Sequence, residues 1–297
     1  MRHFLFAGCR PPTQPAPTFP KKMLQHRVKL FQRKSAELTI ILLLSLTSTA
    51  QAADTPTIAS TSLCGDSYLL ALAPNHISAL SWQSRTPLSR ARERQRDLPQ
   101  IWDDPEILMK AKADIILFGS GEGQYSSKLK ARPLKLIWGE DFSNIQTNAQ
   151  LITDALNIRS DISEDWAKRI EALNIHAEAR HKKPKILYLS RSGGSAGTGT
   201  LVDAAITAAG GINAVETTGW FTPDPEHIVA YKPDLIITSY FKNGYESVQS
   251  TAVRNKVVQR YIAAHPNIEI DGKLWPCAGP GLIEAAERIS AAIDKLP

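Results

Sequence analysis

Asp104 to Leu117 and Asp224 to Ile237 state the same fourteen-residue pattern at an offset of 120 residues. Each copy opens Asp-Pro-Glu. The aspartate is an N-cap whose carboxylate can accept from the first free backbone N–H groups, and proline suits the first helical position. The glutamate then lies where the helix dipole favours negative charge. Each copy closes on an aspartate and an unbroken aliphatic run, Ile115-Ile116-Leu117 and Leu235-Ile236-Ile237, as in parallel strands covered on both faces. A chain that repeats a helix-then-strand unit over this distance is confined to α/β architecture with two similar halves.

Composition carries information only after the chain is divided. The first 52 residues hold eight Lys or Arg against the single acid Glu37, so the net charge of +6 belongs to them and the remainder is near −1. A basic stretch from Lys21 to Lys34, an apolar segment from Leu38 to Leu46 and the small-x-small triplet Ala50-Gln51-Ala52 have the order of a secretory signal. Cleavage is expected after Ala52, with Met23 an alternative start, and the apolar segment is too short to span a bilayer. The near-neutral body gives no reason to expect nucleic acid or an anionic membrane as partner. An exported, periplasmic protein is the expectation.

The body reads as a lobe over residues 53–142, a helical connection over 143–183 and a second lobe over 184–297. Strands are expected at Thr57 to Ser62, Ile77 to Trp82, Asp114 to Phe118 and Lys135 to Trp138. In the second lobe they are expected at Lys185 to Ser190, Asp234 to Tyr240 and Ile268 to Asp271. In the connection Ile145, Ala149, Ile152 and Leu156 share one helical face, and Asp161 with Glu164 reads as a capping box. No Gly or Pro interrupts this stretch before Pro184, so the connection should be stiff. The fold expected is α/β: two doubly wound parallel-sheet lobes joined by a long rigid helix, with a ligand cleft between them.

These residues resemble a known family, the class III periplasmic substrate-binding proteins of ABC importers for ferric siderophores, cobalamin and haem. The resemblance runs from about Thr57 to Ile293. It rests on the opening strand and loop Ile58 to Gly65, the two repeat copies, and the turn Ala208-Ala209-Gly210-Gly211-Ile212-Asn213. Ala113 departs from it, since the family usually has proline there. The resemblance implies a monomeric, non-enzymatic carrier that takes a metal chelate, without a cofactor of its own, to an inner-membrane permease dimer. It also implies that Glu106 and Glu226, one per lobe, dock into the two permease subunits; the bland alternative is that both merely complete helix starts.

Open α/β sheets bind ligands at the carboxyl ends of their strands. The segments expected there carry Trp82, Tyr125, Trp220, Phe221, Tyr240, Phe241, Tyr245 and Trp275. Any one ring is more readily core than contact, but the set suits a large flat or greasy ligand. Arg85 and Arg191 are expected to meet its negative charge. Arg90, Arg92, Arg94 and Arg96 read more simply as a solvated face.

Cys64 and Cys277 remain after the leader is removed, both in loops expected to face the cleft. Three readings stay open: an interlobe disulfide, soft ligands for a metal or metal chelate, and two unrelated buried residues. The loop Gly193 to Gly199 follows a strand and opens a helix, yet it lacks both the dinucleotide spacing and a P-loop lysine. His76, His176, His181, His227 and His265 show no ligand spacing, so no protein-held metal is expected. The competing class is an exported enzyme using Cys64 as nucleophile or the Gly193 to Gly199 loop as an anion site.

Overall fold

The computed structural model describes residues 55–139, 141–240 and 255–297. The leader, with Met23 and the Ala50-Gln51-Ala52 site, lies outside the described residues, as do Phe241 and Tyr245.

The first half contains β1 (Ile58–Ser60), α1 (Leu63–Leu72), β2 (Ile77–Ser81), α2 (Glu93–Arg96), β3 (Gln100–Ile101), α3 (Pro105–Lys110), β4 (Ile115–Phe118) and β5 (Arg132–Lys135). Its strands form one parallel sheet in the order β3-β2-β1-β4-β5. After α4 (Ser143–Leu156) and α5 (Asp161–Glu178), the second half contains β6 (Lys185–Ser190), β7 (Ser195–Ala196), α6 (Leu201–Ala208), β8 (Ile212–Asn213), β9 (Trp220–Phe221) and α7 (Pro225–Ala230). It ends with β10 (Leu235–Ser239), α8 (Lys256–Ala263), β11 (Asn267–Ile270) and α9 (Pro280–Ile293). Its parallel sheet has the order β11-β10-β6-β8, and β7 with β9 forms a small antiparallel ribbon. Both sheets are doubly wound. In each the chain winds outward from the first strand, then crosses to its other side, so the order reverses between β1 and β4 and again between β6 and β10.

The repeat is conserved in geometry as well as in letters. Asp104 caps α3 by accepting from the N–H groups of Glu106 and Ile107, whereas Asp224 makes no side-chain cap on α7. The second aspartate of each copy does the same work twice. Asp114 Oδ2 accepts the Thr57 N–H at 2.8 Å, just before β1, and Asp234 Oδ2 accepts the Lys185 N–H at 2.8 Å, at the start of β6. Each carboxylate locks a repeat strand in register beside the opening strand of its half.

Period-two alternation decides what each sheet face touches. Ile58, Ile115 and Leu117, together with Ile186, Tyr188, Leu235 and Ile237, point into a single buried cluster that also takes side chains from α1, α4, α5, α6 and α9. The alternate residues point away from it. Ala59, Ile116 and Phe118 pack under Leu108 of α3, and Leu187, Leu189 and Ile236 pack under Ile228 of α7 and Val258 of α8. The order across the molecule is therefore helix, sheet, shared helical centre, sheet, helix.

That shared centre changes what holds the halves together. The expected stiff connection is two helices, broken where Asn157 adopts the left-handed conformation at φ 53°. The N-cap of α5 is Ser160, accepting from the Ser163 N–H, rather than Asp161. Rigidity comes from one core spanning both sheets, which no single linker helix supplies. The strand expected at Lys135 to Trp138 lies three residues earlier; β5 is an edge strand and accommodates Pro133, whose missing N–H costs nothing on the open side.

Candidate functional site

The carboxyl ends of β2, β3, β4 and β5 each lead to an exposed aromatic residue: Trp82, Trp102, Tyr125 and Trp138. Trp220 adds a fifth from the β7–β9 ribbon, and exposure across the five runs from 42% at Trp102 to 57% at Trp220. Single exposed apolar residues are ordinary, but exposed rings following four strands at one edge of one sheet form a pattern that needs a reason. Lys128 Nζ stands 5.8 Å from the centre of the Tyr125 ring, a cation over an aromatic face.

Polar groups tie these strand ends to one another at the point where the strand order reverses. Glu122 accepts from Thr61 Oγ1, after β1, and from the Gly119 N–H at 2.8 Å, after β4. Asp103 accepts the Gly123 N–H at 3.1 Å, fixing the Trp102 turn against the β4 loop. Asp66, fully buried on α1, accepts the Ser81 N–H at 2.9 Å and the Ser81 hydroxyl at 2.6 Å, directly before Trp82. Burial pushes the Asp66 carboxyl up to about 6 in spite of the Ser81 bonds, and the Glu122 charge adds to the rise.

In the second half the strand order reverses at Ser190 and Tyr240. Tyr240 follows β10 with φ 66°, an uncommon conformation for a bulky side chain. Its ring lies where a Cβ on residue 272 would stand, so only glycine fits beside it. Tyr188 is buried beneath, with the Trp220 and Trp275 rings edge-on at 6.1 and 5.5 Å.

Cys64 and Cys277 form a disulfide with Cα atoms 5.6 Å apart. Cys64 lies in the first turn of α1, just past β1, and Cys277 lies in the segment between β11 and α9. The bond thus holds a carboxyl-end loop of the first sheet against one of the second. Tyr68 reinforces the seam, its hydroxyl donating to the Ala278 carbonyl at 3.3 Å. The reading of the two cysteines as unrelated residues is overturned, and so is the reading as soft ligands: the sulfur valences are spent on each other. The same bond removes the thiolate that a Cys64 nucleophile would need.

The other residues singled out from sequence divide plainly. Trp82, Tyr125 and Trp220 are exposed at strand ends, while Phe221 is half-buried against the outer cluster of the second sheet. Trp275 is 3% exposed and belongs to the shared centre, so it is core. Arg85 is exposed, and its Nε donates to the Arg96 carbonyl at 3.0 Å, directing it toward the arginine-rich loop. Arg191 is half-buried, its N–H donating to the Ser239 carbonyl across the point where the order reverses. The Gly193 to Gly199 loop is shaped by β7 of the ribbon; Gly197 cannot carry a side chain because the Thr217 carbonyl fills the place. Glu106 and Glu226 are both exposed in the first turns of their helices, and Glu106 pairs with Lys110 at 3.9 Å. Trp102, Trp138 and Lys128 were not anticipated. Trp102 follows a strand of two residues, too short to leave a pattern, and Trp138 was absorbed into a misplaced one.

Many solved structures match the chain over most of its length, and three illustrate them. A periplasmic heme-binding protein from Pseudomonas aeruginosa is 17% identical, with a TM-score of 0.61 over 82% of this chain and 94% of that one. The periplasmic heme-binding protein HutB of Vibrio cholerae is 18% identical, with a TM-score of 0.63 over 81% and 99%. The periplasmic vitamin B12-binding protein BtuF of Vibrio cholerae is 15% identical, with a TM-score of 0.60 over 80% and 96%. This chain has their fold. No protein-family model matches the sequence, and no curated protein matches it at a significant level.

Proposed function

We propose that the protein is a periplasmic substrate-binding protein that captures a metal chelate of the corrinoid, haem or ferric siderophore class and passes it to an inner-membrane ABC importer. The observation that carries this reading is the set of exposed rings after β2, β3, β4 and β5, at the carboxyl edge of the first sheet, where Cys64 also lies just past β1. Aromatic faces with few fixed charges suit a broad, flat ligand, and Lys128 and Arg191 supply modest positive charge for peripheral carboxylates. The fold shared with two heme-binding proteins and a vitamin B12-binding protein supports the same class of ligand.

In this reading the lobes are residues 53–142 and 184–297, with 143–183 between them and a leader removed after Ala52. Trp82, Trp102, Tyr125, Trp138, Trp220 and Tyr240 contact the ligand. Because one core spans both sheets, ligand entry involves only small changes in the angle between them. Glu106 and Glu226, held at matching places in the two halves, contact the two permease subunits. The enzyme reading loses its nucleophile to the disulfide.

Haem, a cobalamin and a ferric catecholate siderophore are all coloured, so absorption titrations with each test the proposal. One of them should give a saturable spectral change at one equivalent without turnover. Failure of all three to bind would remove the chelate reading.

A further inference from the structure

The arginine-rich loop before β3 is exposed, as its composition suggests, and it also walls a crevice. Two of its members are spent on the loop itself: Arg85 Nε bonds the Arg96 carbonyl, and Arg96 Nε bonds the Ala91 carbonyl at 3.1 Å. The remaining three, Arg90, Arg92 and Arg94, line a crevice of about 390 Å³ with Arg169 of α5, and Glu284 is the one acid in its wall. Arg90 pairs with Glu284 at 3.2 Å, and Glu284 also receives Arg288 at 2.7 Å. Arg169 is forked onto Glu287 at 2.7 and 2.6 Å, with Asp165 beside it at 3.6 Å. Arg92 and Arg94 have no ion-pair partner among the described residues.

Position separates this crevice from the aromatic rim. Its wall includes Asn75, which lies in the turn at the amino end of β2, whereas Trp82 follows the carboxyl end of that strand. The crevice also crosses the seam between the halves, because Arg90 comes from the first sheet's connections and Glu284 from α9.

Arg90 and Arg169 are balanced by Glu284, Glu287 and Asp165, which leaves Arg92 and Arg94 as like charges beside one partly enclosed space, where an entering anion relieves their repulsion and the crevice walls focus the potential. Planar guanidinium forks match carboxylate and phosphate oxygens. The volume falls in the range of small-ligand pockets and exceeds what one simple ion needs.

We propose that this crevice is a second binding site, for a small polyanion bearing phosphate or carboxylate groups, held chiefly by Arg92 and Arg94. A free solute and the headgroup of an anionic lipid share that chemistry. Tripolyphosphate is the soluble probe. Calorimetric titration at 0.15 M salt, where purely long-range attraction is screened, should give saturable binding. Replacing both arginines with glutamine (R92Q/R94Q) should weaken it at least tenfold, while a charge-matched control replacing Lys182 and Lys183 with glutamine should leave it unchanged. Both pairs are exposed, and melting curves without ligand establish that each variant is folded. Equal loss in the two variants, or no saturable binding by the parent protein, would overturn the proposal. Sedimentation with phosphatidylglycerol vesicles, against phosphatidylcholine alone, assigns the source. Binding that R92Q/R94Q abolishes supports a headgroup, and tripolyphosphate binding without vesicle binding supports a free solute. Chelate titration of R92Q/R94Q should match the parent whichever source applies, so failure of the rim reading and failure of this one are distinguishable.

Discussion

Reducing the Cys64–Cys277 bond isolates the contribution of the disulfide cross-link between the two halves. The bond closes a sequence separation of 213 residues. In the chain-entropy account a loop of that length restrains the unfolded state by about 5 kcal/mol, the upper end of what native disulfides supply. For a chain of this size 1 kcal/mol corresponds to roughly 2–4 °C in melting temperature, so reduction should lower the melt by about 10 to 20 °C. The folded state itself should survive reduction at 25 °C, since the shared helical centre remains. Calorimetric melts of residues 53–297, oxidised, fully reduced, and as the Cys64→Ser/Cys277→Ser variant, measure the effect; the reduced protein and the variant should agree. Thiol titration of the unfolded, unreduced chain should find no free thiol. Two free thiols, or a melt unmoved by reduction, would refute both the pairing and the reasoning built on it.

Three further outcomes follow from named groups. Asp66 has a folded-state pKa of about 6 against an ordinary 3.8, so the folded state holds the extra proton. Its stabilisation is complete below about pH 4 and is lost as pH rises through about 6, about 3 kcal/mol at most. Denaturant melts between pH 4 and 7 should show that loss, and Asp66→Asn should flatten it; a parent profile that rises across this window would contradict the assignment. Glu106→Ala and Glu226→Ala should each abolish uptake in cells while leaving chelate affinity within about twofold. Loss of affinity in either would place that glutamate in the ligand site instead of at the permease. Asp234→Ala should cost about 1 kcal/mol by exchanging the exposed Lys185 N–H bond at the start of β6 for one to water, read as a shift in denaturant midpoint at unchanged slope.

The α/β class and the doubling of the fold were legible in sequence because their signals are local. Asp-Pro-Glu marks a helix start within three residues, and an aliphatic run after Asp114 or Asp234 marks a covered strand. What escaped depends on distant neighbours. The strand expected at Lys135 to Trp138 was placed three residues late, because nothing local marks where this edge strand ends, and the error carried Trp138 out of the candidate rim. β3 is two residues long and left Trp102 unplaced. Trp275 reads like any other loop tryptophan, and only packing against Tyr188 makes it core. The pairing of Cys64 with Cys277 required knowing that two loops 213 residues apart meet. The shared centre was invisible for the same reason: alternation shows that each strand has two faces without showing that one face of each sheet turns toward the same helices.

The central claim is that a flat chelate is held by rings at the strand ends of the first sheet. Its most direct test is the absorption titration that gives binding, repeated on a Trp102→Ala/Trp138→Ala variant. Each exposed indole should contribute about 2 kcal/mol of contact to the complex and little to folding. The account predicts a loss of affinity of at least a hundredfold in the double variant, with its melting temperature within a few degrees of the parent. Unchanged affinity in a folded variant would contradict it.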